Sequence, residues 1–437
     1  MKINKKLAFL VLPAAMLIAS CDDKDDRPEK NIPANPQTPA VLNVEQNKAN
    51  MESSGIEMVN TVRDMKNTEA VKVAAHMVEL MDKFSGTAKN SGAFKIMHSL
   101  KSFYQSGDVA GIYGDMRSVS SDPSSPQEAF DQIKGTYTWN GSGWDKKDGS
   151  ELVFLFPSSK TASSNDASFT VTYLAYNGTT PFPNYKGDLP YKISATLKQN
   201  STSLVTYNFE SKYDEKGMPS LLNTSLEVLK YKMAISFNHN NSSLGLNYSF
   251  KKDAQILFDA GGDATGNFSY ENIKSLADGD SKIEKAEEVT KLATKLNAHF
   301  QIMRYNIKGE VNLQGLADDI KAAGGSNALD NNNSKTIEIL NKNYSLKVYD
   351  TQNANAVVAG TEFYEAKETN TYTTQVWNST TNTYDNVTKT ETNESVSLRL
   401  TFTDGTKSDL ETYFNSGFKN LQKEVENFAT ELKDGIN

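Results

Sequence analysis

Runs of apolar residues at every second position constrain the fold of this chain most strongly. They recur between positions 135 and 275, separated by short polar turns. The clearest run consists of Leu229, Tyr231, Met233, Ile235 and Phe237. Successive side chains of a β-strand point to opposite faces of a sheet, so a period of two predicts strands with one apolar face. The regular spacing predicts an antiparallel meander, in which each strand pairs with the next.

A second block of predicted strands lies between positions 335 and 403. Its strands are expected at 335–340, 344–349, 357–364, 372–377 and 396–402. The intervening segment 368–393 is dense in Thr, Asn and Tyr. Threonine and tyrosine favour strands, and the polar composition does not suit a core, so we expect an exposed, soluble hairpin there.

Apolar residues spaced by three and four predict helices around these strands. One amphipathic pattern starts at Ile56 and continues to Phe84, and a further helix is expected at 93–104. Two capping boxes, which begin at Ser281 and Ser408, predict later helix starts. The helix after the first box would carry the stripe Val289, Leu292, Leu296, Phe300 and Met303. The helix after the second box would carry Phe414, Phe418, Leu421, Val425, Phe428 and Leu432, facing the core or, as the alternative, a coiled-coil partner.

Together these patterns predict the α+β fold class. We expect a large antiparallel sheet, a meander and possibly a half-barrel, with helices before, between and after the strand blocks. The folded body would span 48–437, with helices in 48–134, strands in 135–275, helices in 276–325, strands in 335–403 and a last helix in 408–434. This length suffices for one large core or for two domains.

The first residues of the chain form a pattern of their own. Three lysines precede an apolar run at 7–18, and Ile18-Ala19-Ser20 leads into Cys21, the single cysteine of the 437 residues. Twelve apolar residues reach about 18 Å as a helix, short of the roughly 30 Å hydrocarbon core, which favours a signal peptide over a membrane anchor. The segment resembles the lipobox of bacterial lipoproteins. This resemblance implies removal of residues 1–20 and attachment to the membrane through lipid on Cys21.

An acidic cluster follows the cysteine and bears on location. It consists of Asp22, Asp23, Lys24, Asp25 and Asp26. It resembles the signal that exports lipoproteins of Bacteroidota to the outer face of the outer membrane. An aspartate directly after the cysteine also resembles an enterobacterial retention signal, and a solvated spacer is the plainest interpretation. The bias toward Asn, Lys, Thr and Tyr, with only five arginines, is typical of an AT-rich genome and favours the first interpretation. We therefore expect a cell-surface protein of the outer membrane, with the periplasmic face of that membrane as the alternative. The proline-containing segment 21–47 would be a tether.

Charge and motifs exclude several function classes. The formal net charge is −8, and loss of the three lysines in residues 1–20 would make it −11. An acidic, arginine-poor chain argues against nucleic acid as a partner. With its single cysteine acylated, the chain would form neither a disulfide nor a thiolate zinc site. The four histidines are scattered, and no nucleophile, zinc or phosphate-binding motif occurs, so we expect no enzyme, metal or cofactor. Unrecognised paired carboxylates stay an alternative.

The three tryptophans supply the candidate binding residues. Trp139-Asn140 precedes Trp144-Asp145, and Trp377-Asn378 precedes Tyr384-Asp385, each before a predicted strand. Aromatic residues are common in hairpins, so the similarity of these two segments does not by itself require a shared function. Alternatively, Trp139, Trp144 and Trp377 present aromatic faces to a ligand.

Three functions follow as hypotheses. The first is a non-enzymatic envelope protein that binds a lipid or other amphiphile in a cavity between sheet and helices. This resembles the half-barrel lipid carriers at the level of the fold. The second is a surface module that binds a glycan or an envelope protein through its tryptophan hairpins. The third is an enzyme with unrecognised carboxylates.

Overall fold

The structure is a computed structural model, and it describes residues 43–81, 126–175, 190–214, 217–277, 290–325, 329, 332–353, 355–415 and 418–434. Several predictions lie outside these residues. They are the signal peptide, Cys21 with its acidic cluster, most of the tether, the helix at 93–104 and the capping box at Ser281.

The described residues form sixteen strands in one open sheet, together with helices, which confirms the α+β fold class. The strands are β1 (Gly135–Trp139), β2 (Trp144–Lys147), β3 (Leu152–Phe156), β4 (Ala167–Ala175), β5 (Pro190–Gln199), β6 (Thr202–Tyr213), β7 (Pro219–Val228), β8 (Tyr231–Asn240), β9 (Ser243–Lys252), β10 (Gln255–Gly266), β11 (Ala293–Ile302), β12 (Tyr305–Asn312), β13 (Tyr344–Asp350), β14 (Ala356–Asn378), β15 (Thr383–Phe402) and β16 (Lys407–Asp409). The strand order is β16 to β3 in descending sequence, then β1 and β2.

The predicted meander is present from β3 to β10, where each strand pairs antiparallel with the next. The exception is β1, which lies between β2 and β3 and is parallel to β3. Within the predicted strand block 135–275, β7 and β10 were not among the runs of alternating apolar residues. Leu221 and Leu222 are adjacent in β7, and β10 contains Gly261-Gly262, so neither strand shows a clean alternation of apolar residues.

The helices are α1 (Val44–Lys66), α2 (Glu69–Met81), α3 (Pro126–Ile133), α4 (Tyr270–Ala277), α5 (Leu313–Ala322), α6 (Asn333–Asn343), α7 (Leu410–Asn415) and α8 (Lys419–Asp434). Helix α1 begins within the predicted tether. The Asn43 side chain accepts from the Gln46 backbone N–H at 2.9 Å, and the Gln46 side chain accepts from the Asn43 N–H at 3.0 Å. This reciprocal cap satisfies two amide donors and fixes the helix start.

The helix predicted from Ser281 through Met303 is wrong from residue 293 onward, whereas residues 290–292 are helical. Strand β11 occupies Ala293–Ile302. The predicted helical block 276–325 also contains β12, which was not predicted, and then α5. Leu296, Phe300 and Ile302 also fit a period of two, and the sheet selects this alternative because it supplies neighbouring strands. The Phe300 ring packs edge-on against Phe258 of β10, with centroids 5.2 Å apart.

The strand predicted at 335–340 is also wrong, because these residues belong to α6. The β-branched residues Thr336, Ile337 and Ile339 favour a strand by propensity alone. However, the Asn332 side chain accepts from the Lys335 N–H at 3.0 Å and caps a helix there. Ile339 is then buried on one side of that helix.

The predicted helix at 408–434 is interrupted. Ser408 lies in β16 opposite Leu400, so its capping box does not start a helix. The chain forms α7 and then α8. Leu421, Val425 and Phe428 of the predicted stripe are half-buried, whereas the buried aromatic residue of this region is Tyr413. Side-chain contacts tie α8 to α1: Glu52 accepts from the backbone N–H groups of residues 420 and 421 at 2.7 and 3.2 Å.

The chain divides into two compact units. Unit 1 comprises Met1–Glu52, Ser281–Ala298 and Tyr305–Lys423, and unit 2 comprises Ser53–Asp280, His299–Arg304 and Glu424–Asn437. In unit 1, Tyr305, Val348, Leu400, Phe402 and Tyr413 belong to one buried cluster. In unit 2, α2 buries Val73 and Met77 against Phe154, Phe156 and Phe169 of the sheet. A second cluster in unit 2 includes Tyr231, Phe250, Leu257 and Met303, with Met58 and Val62 of α1 packed on it.

Candidate binding site on the β14–β15 hairpin

The most prominent candidate site lies on the hairpin formed by β14 and β15. The two strands pair in continuous register from Ala359 opposite Phe402 to Asn378 opposite Thr383. Between positions 367 and 395 nearly every side chain is exposed, as predicted for 368–393. At 3.3–3.4 Å per residue, the exposed part of β14 from 367 to 378 is about 40 Å long. The prediction missed that strands expected at 357–364 and 372–377 are one strand.

Buried side chains and ion pairs fix the base of this hairpin. Phe363 and Leu398 are buried opposite each other. Glu362 accepts from Lys407 Nζ at 2.7 Å and from Arg399 Nε at 2.6 Å. The hydrogen bond from Lys407, followed by that from Arg399, lowers the pKa of the Glu362 carboxyl against the opposing effect of burial. The hairpin therefore projects from a rigid base.

The edge of β14 at this base is capped by a side chain. The Asn341 amide of α6 donates to the Phe363 carbonyl at 3.0 Å and its oxygen accepts from the Phe363 N–H at 2.7 Å. These two bonds replace those that a neighbouring strand would make. Strand β13 pairs with the start of β14, from Ala356 to Gly360.

The tip of the hairpin is closed by an asparagine turn. The Asn378 side chain donates to Asp385 Oδ2 at 2.6 Å, and its oxygen accepts from the N–H groups of Thr380 and Thr381 at 3.0 and 3.4 Å. Just below the turn, Trp377 stands opposite Tyr384, and the two rings meet nearly edge-to-face with centroids 5.1 Å apart. Trp377 is 50% exposed and Tyr384 is 63% exposed.

The hairpin of β1 and β2 repeats this local structure, as the similarity of the two segments in sequence suggested. Asn140 donates to Asp145 Oδ1 at 2.9 Å, and its oxygen accepts from the N–H groups of Ser142 and Gly143 at 3.1 and 2.9 Å. Trp139 stands opposite Trp144, with ring centroids 5.4 Å apart. Both hairpins therefore combine an asparagine turn with an aromatic pair directly below it.

The surroundings of the two aromatic pairs differ. Trp144 donates its indole N–H to the Leu80 carbonyl at 3.3 Å and packs edge-on against Phe154 at 5.4 Å. Trp139 and Trp144 are therefore half-buried against the core of unit 2, whereas Trp377 belongs to unit 1. The structure does not bring the three tryptophans into one cluster within a unit.

Charge is distributed unequally between the two faces of the exposed hairpin. Directly opposed residues of an antiparallel pair lie on the same face. One face carries only uncharged pairs from Thr369 to Trp377: Thr369–Thr392, Thr371–Thr390, Thr373–Thr388, Gln375–Asn386 and Trp377–Tyr384. The other face carries Glu368, Glu391, Lys389 and Asp385. We call the first face the neutral face. The uncharged residues at every second position of both strands were visible in the sequence, but the neutral face was not predicted from them.

A cavity for an amphiphile was the other sequence-based expectation. A cavity of about 120 Å³ in unit 1 is lined by Asp319, Ala322, Ala323, Lys335, Glu338, Ile339 and Lys342. This cavity is smaller than a cavity of about 150 Å³ that binds benzene, and charged side chains line it. On the apolar face of the sheet in unit 2, Leu246 is 57% exposed and Ile235 is 41% exposed. This open apolar surface, rather than that cavity, has the chemistry that an acyl chain requires.

The histidines of the described residues lie apart from one another. Among the described residues, no three His, Cys, Asp or Glu side chains are placed to hold a metal ion. His239 pairs with the Phe268 carbonyl at 2.8 Å, and His299 Nε2 lies 3.5 Å from Asp259 Oδ1. His76 Nδ1 lies 3.5 Å from Glu79, and His98 is outside the described residues. The three described histidines thus contact separate partners.

No described helix is long and apolar enough to cross a membrane. Comparisons with protein-family models, curated proteins and solved structures found no significant match to this chain.

Proposed function

We propose that this chain is a non-enzymatic, lipid-anchored protein of the bacterial cell envelope that binds its ligand with the tip of the β14–β15 hairpin. The observation that carries the proposal is the exposed pair of Trp377 and Tyr384. Lipid attachment at Cys21 and display at the cell surface rest on the resemblance of residues 1–26 to lipoprotein precursors.

The comparison with the β1–β2 hairpin supports a binding role for the tip. Both hairpins close with the same asparagine turn and carry an aromatic pair just below it. At β1–β2 the pair packs on the core and so contributes to folding. At β14–β15 the pair is largely exposed, so folding gains much less from it. Aromatic rings with a polar edge are enriched where proteins contact ligands, which gives Trp377 and Tyr384 a role that folding does not supply.

The shape of the hairpin suits the same role. Its base is held by Glu362, Arg399 and Asn341, and its aromatic pair lies about 50 Å further along the strands. Binding residues are commonly carried on projecting segments that a rigid scaffold positions.

The test is binding by the purified full chain in detergent to immobilised polysaccharides and proteins. The panel comprises xylan, mannan and laminarin, which are neutral, heparin and polygalacturonate, which are acidic, and fibronectin. The Trp377→Ala/Tyr384→Ala variant should lose binding at least tenfold, because truncation of a central aromatic contact typically costs more than about 1.4 kcal/mol. The matched control is Tyr372→Ala, an exposed tyrosine on the other face that donates to Glu391 at 2.6 Å.

Equal binding by the wild type and the tip variant across the whole panel would refute the proposed function. Loss of binding in the Tyr372→Ala control as well would indicate damage to the hairpin instead of loss of a contact, and would also count against it.

Amphiphile binding is the second candidate, and the exposed Leu246 and Ile235 favour it. A fluorescent fatty acid should then bind the full chain, and Leu246→Lys should weaken that binding severalfold by placing a charge on the apolar face. Fatty-acid binding that survives this substitution would exclude this surface as the site.

A further inference from the structure

We infer that the ligand of the hairpin is a neutral, linear glycan that lies along the neutral face and ends on Trp377. This inference rests on the proposed function and specifies its ligand class. It follows from charge, hydrogen-bonding capacity and the dimensions of that face.

The charge pattern excludes ionic recognition on this face. From Thr369 to Trp377 no residue of either strand on the neutral face carries a formal charge. At its base, Lys367 donates to Glu394 at 2.7 Å and lies 3.9 Å from Glu365, so the nearest charges on this face leave no free positive charge for an anion. A sulfate, uronate or phosphate that settled here would lose hydration without gaining a counter-charge, which is costly. A neutral ligand avoids that cost.

The same face offers hydroxyl and amide groups at a density suited to sugar hydroxyls. Thr369 and Thr392 place their hydroxyl oxygens 3.4 Å apart, and those of Thr371 and Thr390 are 3.3 Å apart. Each hydroxyl can donate once and accept twice, so these long contacts leave capacity for a ligand.

The amides nearest the tip have the most capacity. Gln375 stands directly opposite Asn386, just below Trp377 and Tyr384. In the described part of the chain neither side chain has a hydrogen-bond partner. Each primary amide supplies two donors and an acceptor, and the aromatic rings beside them can stack on the apolar face of a sugar ring.

The dimensions of the face indicate an extended ligand. Two paired strands are about 4.8 Å apart, whereas the nine residues from Thr369 to Trp377 span roughly 27 Å. A surface this narrow and long matches a chain of sugar units better than a compact molecule. A protein partner would more naturally use the open backbone edges of the hairpin, where it could add a strand.

The experiment compares matched substitutions on the two faces of the full chain in detergent. Gln375→Ala/Asn386→Ala removes the amides of the neutral face, and Asn370→Ala/Thr374→Ala removes polar groups at neighbouring positions of the other face. The probes are soluble oligosaccharides of xylan, mannan and laminarin, with heparin and polygalacturonate as acidic counterparts, measured by calorimetry. We expect at least one neutral oligosaccharide to bind, and the first variant to lose at least fivefold in affinity while the second stays within twofold.

The outcomes separate the two proposals. Binding that depends on Trp377 but is confined to the acidic glycans or to fibronectin would overturn the neutral-glycan inference and leave the binding function standing. Equal losses in the two face variants would also overturn the inference, because the neutral face would then hold no special role. Absence of any Trp377-dependent binding would overturn both. Circular dichroism of each variant shows whether the sheet is intact.

Discussion

Replacement of Arg63 should loosen the carboxy-terminal helix from α1. The Arg63 guanidinium contacts Glu424 at 2.8 Å and Glu431 at 2.6 Å, and it lies over the Phe428 ring at 5.4 Å. Glu424 is well covered, whereas Glu431 is half exposed. All of these residues belong to unit 2. Arg63 therefore makes two charged contacts between the helices, in addition to the hydrogen bonds of Glu52 and Lys66 to α8.

The magnitude follows from these contacts. A hydrogen bond to a charged group contributes about 1.5–3 kcal/mol, and the pair with Glu431 is discounted because solvent screens it. The cation over the Phe428 ring adds about 0.5–1 kcal/mol. We expect Arg63→Met to lower the free energy of unfolding by about 2 kcal/mol. For a unit of this size that corresponds to a fall in melting temperature of roughly 4–8 °C.

The assay is thermal unfolding combined with hydrogen exchange of the amides in α8. Arg63→Lys is the matched control. It keeps the charge but not the planar fork, so about half the loss should remain. A double-mutant cycle with Glu424→Gln should give a coupling energy near 1 kcal/mol. A melting temperature within 1 °C of wild type, with unchanged exchange in α8, would refute the account.

Three other predictions concern charge, packing and anchoring. Because the pKa of Glu362 is lowered in the folded state, its stabilisation should be complete above its unfolded pKa near 4.3 and lost as the pH falls through the folded value. The stability gap between wild type and Glu362→Gln in urea titrations should therefore narrow progressively as the pH is lowered from 6 to 3, and a constant gap over that range would contradict this. Phe156→Ala should cost about 3–5 kcal/mol because Phe156 is fully buried, whereas exposed Leu246→Ala should cost under 1 kcal/mol by the same titration. Cys21→Ser should release the protein from membranes in cell fractionation, and palmitate label retained by that variant would contradict lipid attachment there.

The strands were predictable where apolar residues alternate. They were not predictable where the apolar residues fit the spacing of a helix as well as that of a strand. The strands around Tyr231 and Tyr248 were identified because their side chains alternate over many residues. In β11, Leu296 and Phe300 are compatible with both a helix and a strand, and the neighbouring strands decide between them. In α6 the Asn332 cap overrides β-branched propensity.

The candidate site was partly predictable as well. The exposed hairpin and its Trp377 turn follow from composition and from the repeated Trp-Asn pattern. Their environment does not, since Trp144 is held by the carbonyl of Leu80, 64 positions earlier in the chain. Such long-range contacts decide which of two similar hairpins packs on the core.

Quenching of tryptophan fluorescence tests the central claim most directly, because Trp377 is exposed while Trp139 and Trp144 are half-buried. Acrylamide should quench the full chain strongly, and Trp377→Phe should remove most of the accessible component. A bound neutral oligosaccharide should protect the wild type from quenching, with no protection in Trp377→Phe. Protection that persists in Trp377→Phe, or none in the wild type at saturating oligosaccharide, would contradict binding at the hairpin tip.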